Sequence, residues 1–561
     1  MMALKPLNIA SHLPVMAKQQ PDGLAIVVQK PRRGSRPLEY EEVTFAELDR
    51  ESDRLAAGLD GAGIRRGART VLMVKPGRAF FALTFALFRV GAVPVLVDPG
   101  MGIRNLRKCL EEAQPEAFIG IPKAQAARMV LGWGRSSIRK LVTVGRRLFW
   151  VGISYDQLLR GTGSSYKIHP PEAGETAAIL FTSGSTGAPK GAVYTHEIFN
   201  AQVEVLRRDY GIEPGERDLA TFPLFALFGP ALGMAAVVPD MDASKPAEAD
   251  PQKIVAAIEA YQATNMFASP ALIEVVGRHG QARKQAGSPV VLPSLKRVIS
   301  AGAPADADSL DRFTDLLLPG VEVLTSYGAT EALPVSFIGT NELLSDTAEK
   351  TANGAGVCVG RPIQEAEVAI IPIHDEPIER WSPALKVPDG EIGEIAVKGP
   401  MVSRTYFRRD RATSLAKIPD PDGGGFYHRM GDVGYFDSQG RLWMCGRKTH
   451  RVDLGEETLF TLPCERVFNV MPEVRRTALV PCKVKGFTCP VLCVELNPGE
   501  SDHERIRDGL LEMGAANEKT RKIKTILFHP GFPVDIRHNA KIFREKLALW
   551  AQKKLDSGGL P

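Results

Sequence analysis

The sequence predicts an α/β protein in which parallel sheets are covered by helices, followed by a region of shorter strands and turns. Three observations carry that expectation. Up to about residue 400, short apolar runs alternate with longer helical patterns, as parallel strands joined by crossover helices require. From about residue 357 the pattern changes to shorter strands separated by turns. At 561 residues the chain is too long for one ordinary core, so two or more domains are expected.

Taken in order, residues 71–74, 92–97, 177–181, 297–300 and 321–324 read as buried strands, and 79–88 and 253–261 as helices. Two apolar stretches resemble membrane spans in hydropathy alone. Residues 80–97 are interrupted by Arg89, Gly91 and Pro94 and read as a helix turning into a buried strand. Residues 219–238 contain Pro223, Gly229, Pro230 and Gly233, and read as core. Later come short strands at 357–359 and 394–397 and a hairpin at 434–445 around Asp437-Ser438-Gln439-Gly440. Residues 419–425 are loop-like. A small final domain begins near Lys448 and ends in a basic helix at 542–554. No internal repeat is visible.

Composition is that of a soluble globular protein, 44% hydrophobic and 24% charged. The net charge of +5 is spread without a polybasic tail, which favours neither nucleic acid nor an acidic partner. Cys109, Cys358, Cys445, Cys464, Cys482, Cys489 and Cys493 form no CxxC pair and no metal-ligand spacing. They are expected to act as small apolar residues in a reducing cytoplasm. Residues 1–23 lack an apolar core followed by a small-residue cleavage site, so secretion is not expected, nor is a transmembrane segment.

The strongest local signal is Phe181-Thr182-Ser183-Gly184-Ser185-Thr186-Gly187-Ala188-Pro189-Lys190-Gly191, directly after a buried strand. Glycines let backbone N–H groups approach phosphate oxygens, and hydroxyls add donors. It is not a Walker A loop, because Pro189 stands where the glycine before the lysine belongs and Gly191 where the Ser or Thr belongs. Two further segments read as loops after strands: Ala301-Gly302-Ala303-Pro304, and Thr325-Ser326-Tyr327-Gly328-Ala329-Thr330-Glu331. At the carboxyl ends of strands such loops line a ligand crevice. There Tyr327 can stack on a base, Thr330 can reach a phosphate, and Glu331 can hold Mg²⁺ between phosphate oxygens.

These segments resemble the core motifs of the adenylate-forming superfamily: acyl-CoA synthetases, peptide-synthetase adenylation domains and beetle luciferases. The resemblance runs from about residue 40 to the helix after Lys541. Gly390-Glu391-Ile392-Gly393-Glu394 resembles the family's next motif, and Arg429-Met430-Gly431-Asp432 stands where Thr-Gly-Asp is usual. By that resemblance Asp432 binds the ribose hydroxyls and Arg447, of Gly446-Arg447, lies near the ribose or phosphate. Asn539-Ala540-Lys541-Ile542 resembles the motif that supplies the catalytic lysine. The implied site is Thr182, Ser183, Gly184, Ser185, Thr186, Gly187, Lys190, Gly302, Ala303, Tyr327, Gly328, Thr330, Asp432, Arg447 and Lys541 around ATP, with Glu331 on Mg²⁺. Lys541, Glu331 and Thr330 carry the chemistry. The implied fold is an N-terminal adenylate-forming domain, residues 1–447, of two doubly wound subdomains plus a small β-barrel. A mobile α+β cap, residues 448–561, follows, with the hinge at Lys448 and Thr449.

The fate of the adenylate is read from departures. Where many acyl-CoA synthetases carry a gating histidine after Pro-Leu-Phe, this sequence has Ala226, between Phe225 and Leu227-Phe228. Phe225, Ala226 and Phe228 are the expected substrate-pocket residues. With Met430, His450-Arg451-Val452 and Ala540, this pattern resembles the olefin-biosynthesis β-lactone synthetases (OleC type), which act on 2-alkyl-3-hydroxyalkanoic acids. That resemblance implies pathway companions, a 3-keto acid reductase and a β-lactone decarboxylase. A long-chain acyl-CoA or acyl-AMP ligase is the alternative, and the intact nucleotide motifs argue against a silent scaffold. His196, His428 and His450 lie in or beside motifs and read as structural. The basic-aromatic stretch 128–150 reads either as a solvated face with packed aromatics, the commoner arrangement, or as a docking surface for a partner or lipid.

Overall fold

The computed structural model describes residues 7–31, 38–160, 165–182, 189–222, 227–534 and 542–558. Among them, strands run in the order Ile153–Ser154, Lys140–Thr143, Ala117–Gly120, Arg69–Met73, Val93–Val97, Thr176–Thr182 and Lys190–Thr195 to make a seven-stranded sheet. All neighbours are parallel except the last two, which are antiparallel and flank the glycine-rich segment. Helix Arg78–Arg89 is buried from Phe80 to Arg89, as its nearly continuous apolar sequence demands. It packs on helix Phe45–Gly61, whose start is fixed by a capping box between Thr44 and Glu47. Arg89 is the one charged side chain in that buried run. It donates to Asp53 at 2.8 Å and also pairs with Asp49, both on the facing helix.

The larger sheet starts at the edge strand Tyr40–Thr44, which is antiparallel to Leu24–Gln29, and then runs in parallel through Leu24–Gln29, Ala235–Val238, Arg217–Ala220, Asn265–Ala268, Arg297–Ala301 and Val323–Ala329. Beyond Val323–Ala329 it turns antiparallel, through Ala332–Gly339, Val357–Pro362, Leu442–Arg447, Phe426–Phe436, Gly393–Lys398 and Glu367–Ile371. The switch in direction falls on the strand that carries Tyr327. From Val452 onward the apolar side chains form clusters of their own around the sheet Val474–Val484, Phe487–Leu496 and Thr525–Phe528.

The expected elements are present, several with longer limits, as in the hairpin expected at 434–445, whose strands are Phe426–Phe436 and Leu442–Arg447. Three changed limits have an evident cause. Residues 325–329 are not a loop: the strand runs Val323–Ala329 and pairs with Ala332–Gly339, leaving Thr330 and Glu331 as the turn. The glycine inside it serves close approach instead of turning, since a Cβ at Gly328 would stand 2.8 Å from the Ala332 carbonyl oxygen. That strand also starts at Val323, because the Val321 amide closes a turn onto Leu318. The last helix is Arg544–Asp556, because Ile542 is held in a bridge to Val534. All seven cysteines are free, and six are buried. No helix among the described residues is long and apolar enough to cross a membrane.

Replacing Arg89 by Ala strands Asp49 and Asp53 against the helix it leaves. The expected cost is about 3 kcal/mol, read as a thermal midpoint lower by several degrees. Arg65→Ala, which breaks an exposed pair with Asp60, should leave the midpoint unchanged.

Candidate active site

The turn at Thr330-Glu331 is gripped from three directions. From the seven-stranded sheet, Tyr194 donates its hydroxyl to the Thr330 carbonyl at 2.6 Å, and from the helix His196–Asp209, Gln202 donates to the Leu333 carbonyl just beyond the turn at 3.0 Å. From the segment after Gly399, the Ser403 amide donates to the Glu331 carbonyl at 2.8 Å. Tyr406 donates its hydroxyl to Glu331 Oε1 at 2.7 Å. That same segment bridges both sheets, with Val402 opposite Ala332 and Tyr406 opposite Ala192. Lys190, where the glycine-rich loop re-enters its strand, sets its ammonium 5.0 Å from the Tyr406 ring centroid. Tyr406 therefore joins the exit of the glycine-rich loop to the acidic turn.

Behind this turn lies Lys417, fully enclosed, with its ammonium donating to the Ser403 carbonyl. Burial pushes its pKa down to about 7, against a smaller opposing pull from Glu331.

The second constellation is Tyr327, Asp432 and Arg447. Asp432 and Arg447 face each other across neighbouring antiparallel strands. Tyr327 donates its hydroxyl to Asp432 Oδ2 at 2.8 Å, and Arg447 Nη1 stands 3.0 Å from Oδ1. Arg447 also donates to the Met430 carbonyl at 3.3 Å. Both Asp432 and Tyr327 are buried. Desolvation raises the Asp432 carboxyl above its ordinary value in spite of Arg447, and it raises the Tyr327 phenol well above its own. Asp432 Oδ1 receives no directed hydrogen bond among the described residues. A buried, orphaned acceptor fits a ligand hydroxyl. Gly302 and Ala303 follow the strand next door, where Ala301 pairs with Ser326, and Gly302 takes a positive φ of 101°.

Thus Tyr327 and Gly328 stand on the strand at which the larger sheet turns antiparallel, and Thr330 and Glu331 form the turn after it. Gly302 and Ala303 follow the parallel strand beside it, Asp432 and Arg447 stand on antiparallel strands of the same sheet, and Lys190 stands on the seven-stranded sheet. Thr182 ends its strand opposite Lys190. Ser183, Gly184, Ser185, Thr186, Gly187, Phe225, Ala226 and Lys541 lie outside the described residues. Phe228 opens the helix Phe228–Leu232, its ring 6.1 Å from Phe199, which in turn lies 5.0 Å from Tyr194. An apolar wall so reaches the Thr330 turn. Glu331 is a single carboxylate, and no cluster of three acidic, His or Cys groups exists among the described residues. That suits Mg²⁺, which keeps waters and phosphate oxygens and takes only one or two carboxylates, and does not suit a metal held in a protein cage.

Just past Arg447, Lys448 donates to the buried Glu394 at 3.2 Å, and Arg429 donates to the same carboxylate at 2.7 Å. His450 lies 3.1 Å from Glu545 of the last helix. Burial lowers both His450 and His196 to about 4, and His428 well below the ordinary range. All three are neutral at pH 7. His196 accepts from the Ile9 amide and His428 contacts the Ala416 carbonyl, as structural groups do. Sequence reasoning missed Tyr194, Ser403, Tyr406 and Lys417. None stands in a spacing that marks it, because their roles arise only where the two sheets meet.

A family profile of AMP-binding enzymes matches residues 14–407, and the chain belongs to that family, whose members use ATP to form adenylates. Within it, the chain is 49% identical over 558 residues to the olefin β-lactone synthetase of Stenotrophomonas maltophilia, covering 98% of this chain and 99% of that one. The fold matches the amide bond synthetase McbA of Marinactinospora thermotolerans with a TM-score of 0.77 at 22% identity, over 97% of this chain and 99% of that one. It also matches the o-succinylbenzoate coenzyme A synthetase MenE of Bacillus subtilis, solved with ATP and magnesium, with a TM-score of 0.73 at 20% identity, over 96% and 98%.

Asp432→Ala removes the acceptor from this site, and ATP affinity measured by calorimetry should fall about tenfold to a hundredfold, the worth of a charged hydrogen bond. Lys417 gives a pH signature. Its folded pKa of about 7 lies below its ordinary 10.5, so the unfolded chain binds the extra proton between those values and stability rises with pH there. Thermal midpoints of wild type and Lys417→Met should diverge in favour of wild type from pH 7 to pH 10.

Proposed function

We propose that this chain activates a 2-alkyl-3-hydroxyalkanoic acid as its acyl-AMP and closes it to a β-lactone. The observation that carries the reading is the pairing of the Tyr327–Asp432–Arg447 cluster with the Glu331 turn, in a chain nearly half identical to an olefin β-lactone synthetase over its whole length.

Asp432 Oδ1 accepts a ribose hydroxyl while Tyr327 and Arg447 hold the carboxylate still. The Tyr327 ring stands beside the base, with Gly302 and Ala303 along its edge. Hydroxyls and amides of residues 182–187 hold the phosphates, joined by Thr330 and Lys190. Glu331, oriented by Tyr406, would hold Mg²⁺, which neutralises charge on the departing pyrophosphate. Lys541 stabilises the charge that develops as a carboxylate oxygen attacks the α-phosphorus and the bond to pyrophosphate breaks. In the second step the 3-hydroxyl oxygen attacks the acyl carbonyl carbon, loses its proton, and AMP leaves with the bonding pair. The product is the acid less one water. Ring strain offsets much of the proximity gain, so the site must exclude water and thiols. Phe225, Ala226 and Phe228 are the proposed acyl-pocket residues, and Ala226 in place of a gating histidine fits a reaction that admits no second substrate.

Residues 1–447 form the adenylate-forming domain and residues 448–561 a mobile cap that pivots at Lys448 and Thr449. The two half-reactions use different cap positions. The protein works in the cytoplasm between a reductase that supplies the 3-hydroxy acid and a decarboxylase that consumes the lactone.

Two experiments test this reading. With ATP, Mg²⁺ and a 2-alkyl-3-hydroxy acid, AMP and pyrophosphate should form together with a four-membered lactone, with or without coenzyme A, while the acid lacking the hydroxyl should stall after adenylation. Thioester from the simple acid and no lactone from the hydroxy acid would move the chain to the acyl-CoA ligases. Lys541→Ala should slow acid-dependent pyrophosphate release about a hundredfold, with ATP affinity nearly intact.

A further inference from the structure

Between residues 117 and 155 the chain has seven Lys and Arg and no Asp or Glu. The stretch carries +7 in a chain whose net is +5, which leaves 63 cations against 65 anions everywhere else. The fold puts this charge at the edge of the seven-stranded sheet, on Lys140–Thr143, the edge strand Ile153–Ser154 and the helix Pro122–Leu131. Lys123, Arg135, Arg139, Arg146 and Arg147 are exposed, and among the described residues none forms an ion pair.

The apolar side chains in this stretch are equally out of place for a protein surface. Five of the fourteen exposed large hydrophobic side chains among the described residues lie in it. Three sit in the loop between the two edge strands, where Leu148 is 51% exposed and Phe149 and Val151 are each 77% exposed. The loop is built to hold them out. Gly145 and Gly152 bracket it with φ of 97° and 115°. A side chain at Gly152 would collide with the Leu141 carbonyl oxygen at 2.4 Å. Trp150 turns inward, buried, and donates its indole N–H to Thr143 Oγ1 at 2.9 Å, while Phe149 packs edge-on against it. Arg147 donates back to the Gly152 carbonyl, closing the loop. Pro122 lies against Gly145, which brings Lys123 to the same rim.

We infer that the loop 145–152 is a membrane-docking element that seats the enzyme on an anionic lipid bilayer. An apolar tip of Leu, Phe and Val flanked by arginines matches both layers of a lipid interface, with acyl chains for the tip and phosphates for the guanidinium groups. A nucleic acid would leave the apolar tip in water, and a protein partner of ordinary composition would not call for a run of 39 residues without a carboxylate, 117–155. The contact is peripheral, since the tip is a few residues long and no helix among the described residues is long and apolar enough to span.

The test is cosedimentation of the full chain with phosphatidylcholine vesicles, with and without about one third phosphatidylglycerol. At low salt the wild type should pellet with the anionic vesicles and remain in solution with the neutral ones, and high salt should release it. Arg146→Glu/Arg147→Glu and Leu148→Ser/Phe149→Ser/Val151→Ser should each lower the bound fraction about tenfold. Val470→Ser, an exposed apolar change outside the stretch, should leave it unchanged. All variants should keep wild-type thermal midpoints and ATP–pyrophosphate exchange, because none of these side chains is buried or belongs to the nucleotide site. The inference fails if wild type ignores anionic vesicles, binds neutral ones equally, or if the loop variants bind as wild type does. It also fails if the variants abolish only a concentration-dependent self-association.

Discussion

One buried carboxylate ties together the strands of the proposed nucleotide site. Asp432 is fixed by Tyr327 from one side and Arg447 from the other, three residues on three strands of a single sheet. Tyr327 is 105 positions from it in sequence. Alone, the acid would be costly to bury, and its raised pKa records that cost. With both partners it becomes an acceptor whose direction cannot drift. The strand that carries Tyr327 has Arg297–Ala301 on one side in parallel and Ala332–Gly339 on the other antiparallel. A ligand crevice belongs at such a break in topology.

The same principle is repeated one strand further on. Glu394 lies in register with Val433, next to Asp432, and gathers Arg429 and Lys448. Arg447 and Lys448, adjacent in sequence, thus answer to two different buried acids. The first is the proposed ribose acceptor, while the second ties the chain at the point where the cap is proposed to turn. The segment around Ser403 and Tyr406 plays a comparable part between the two sheets, since it pairs with both and presents its phenol to Glu331. Glu331 is oriented by a tyrosine of this segment, whereas Asp432 is oriented by Tyr327 and Arg447.

Much of this was readable in the sequence. Tyr327, Thr330 and Glu331 fall within one run of five residues, and Asp432 and Arg447 each sit in a short motif, so local pattern singled them out as candidates. Strand alternation likewise located Arg297–Ala301 and Thr176–Thr182 within a residue or two. What could not be read depends on pairs remote in sequence. Tyr406 matters because the chain from 402 to 407 lies between two sheets, and Lys417 because a backbone carbonyl is its only described hydrogen-bond partner. Reading 325–329 as a loop failed for a definite reason. A glycine and polar residues were taken as turn chemistry, whereas Gly328 serves a close backbone approach within a strand.

The cysteines bear on the enzyme's survival. An acyl adenylate and a strained lactone are both acylating agents, and a thiolate is the group they would consume first. Burial pushes Cys358 and Cys482 up to about 11, Cys109, Cys445 and Cys464 to about 12, and Cys493 higher still. These six thiols stay protonated and enclosed at neutral pH. A catalyst that releases an electrophile at every turnover thereby keeps these six side chains from becoming its own covalent targets.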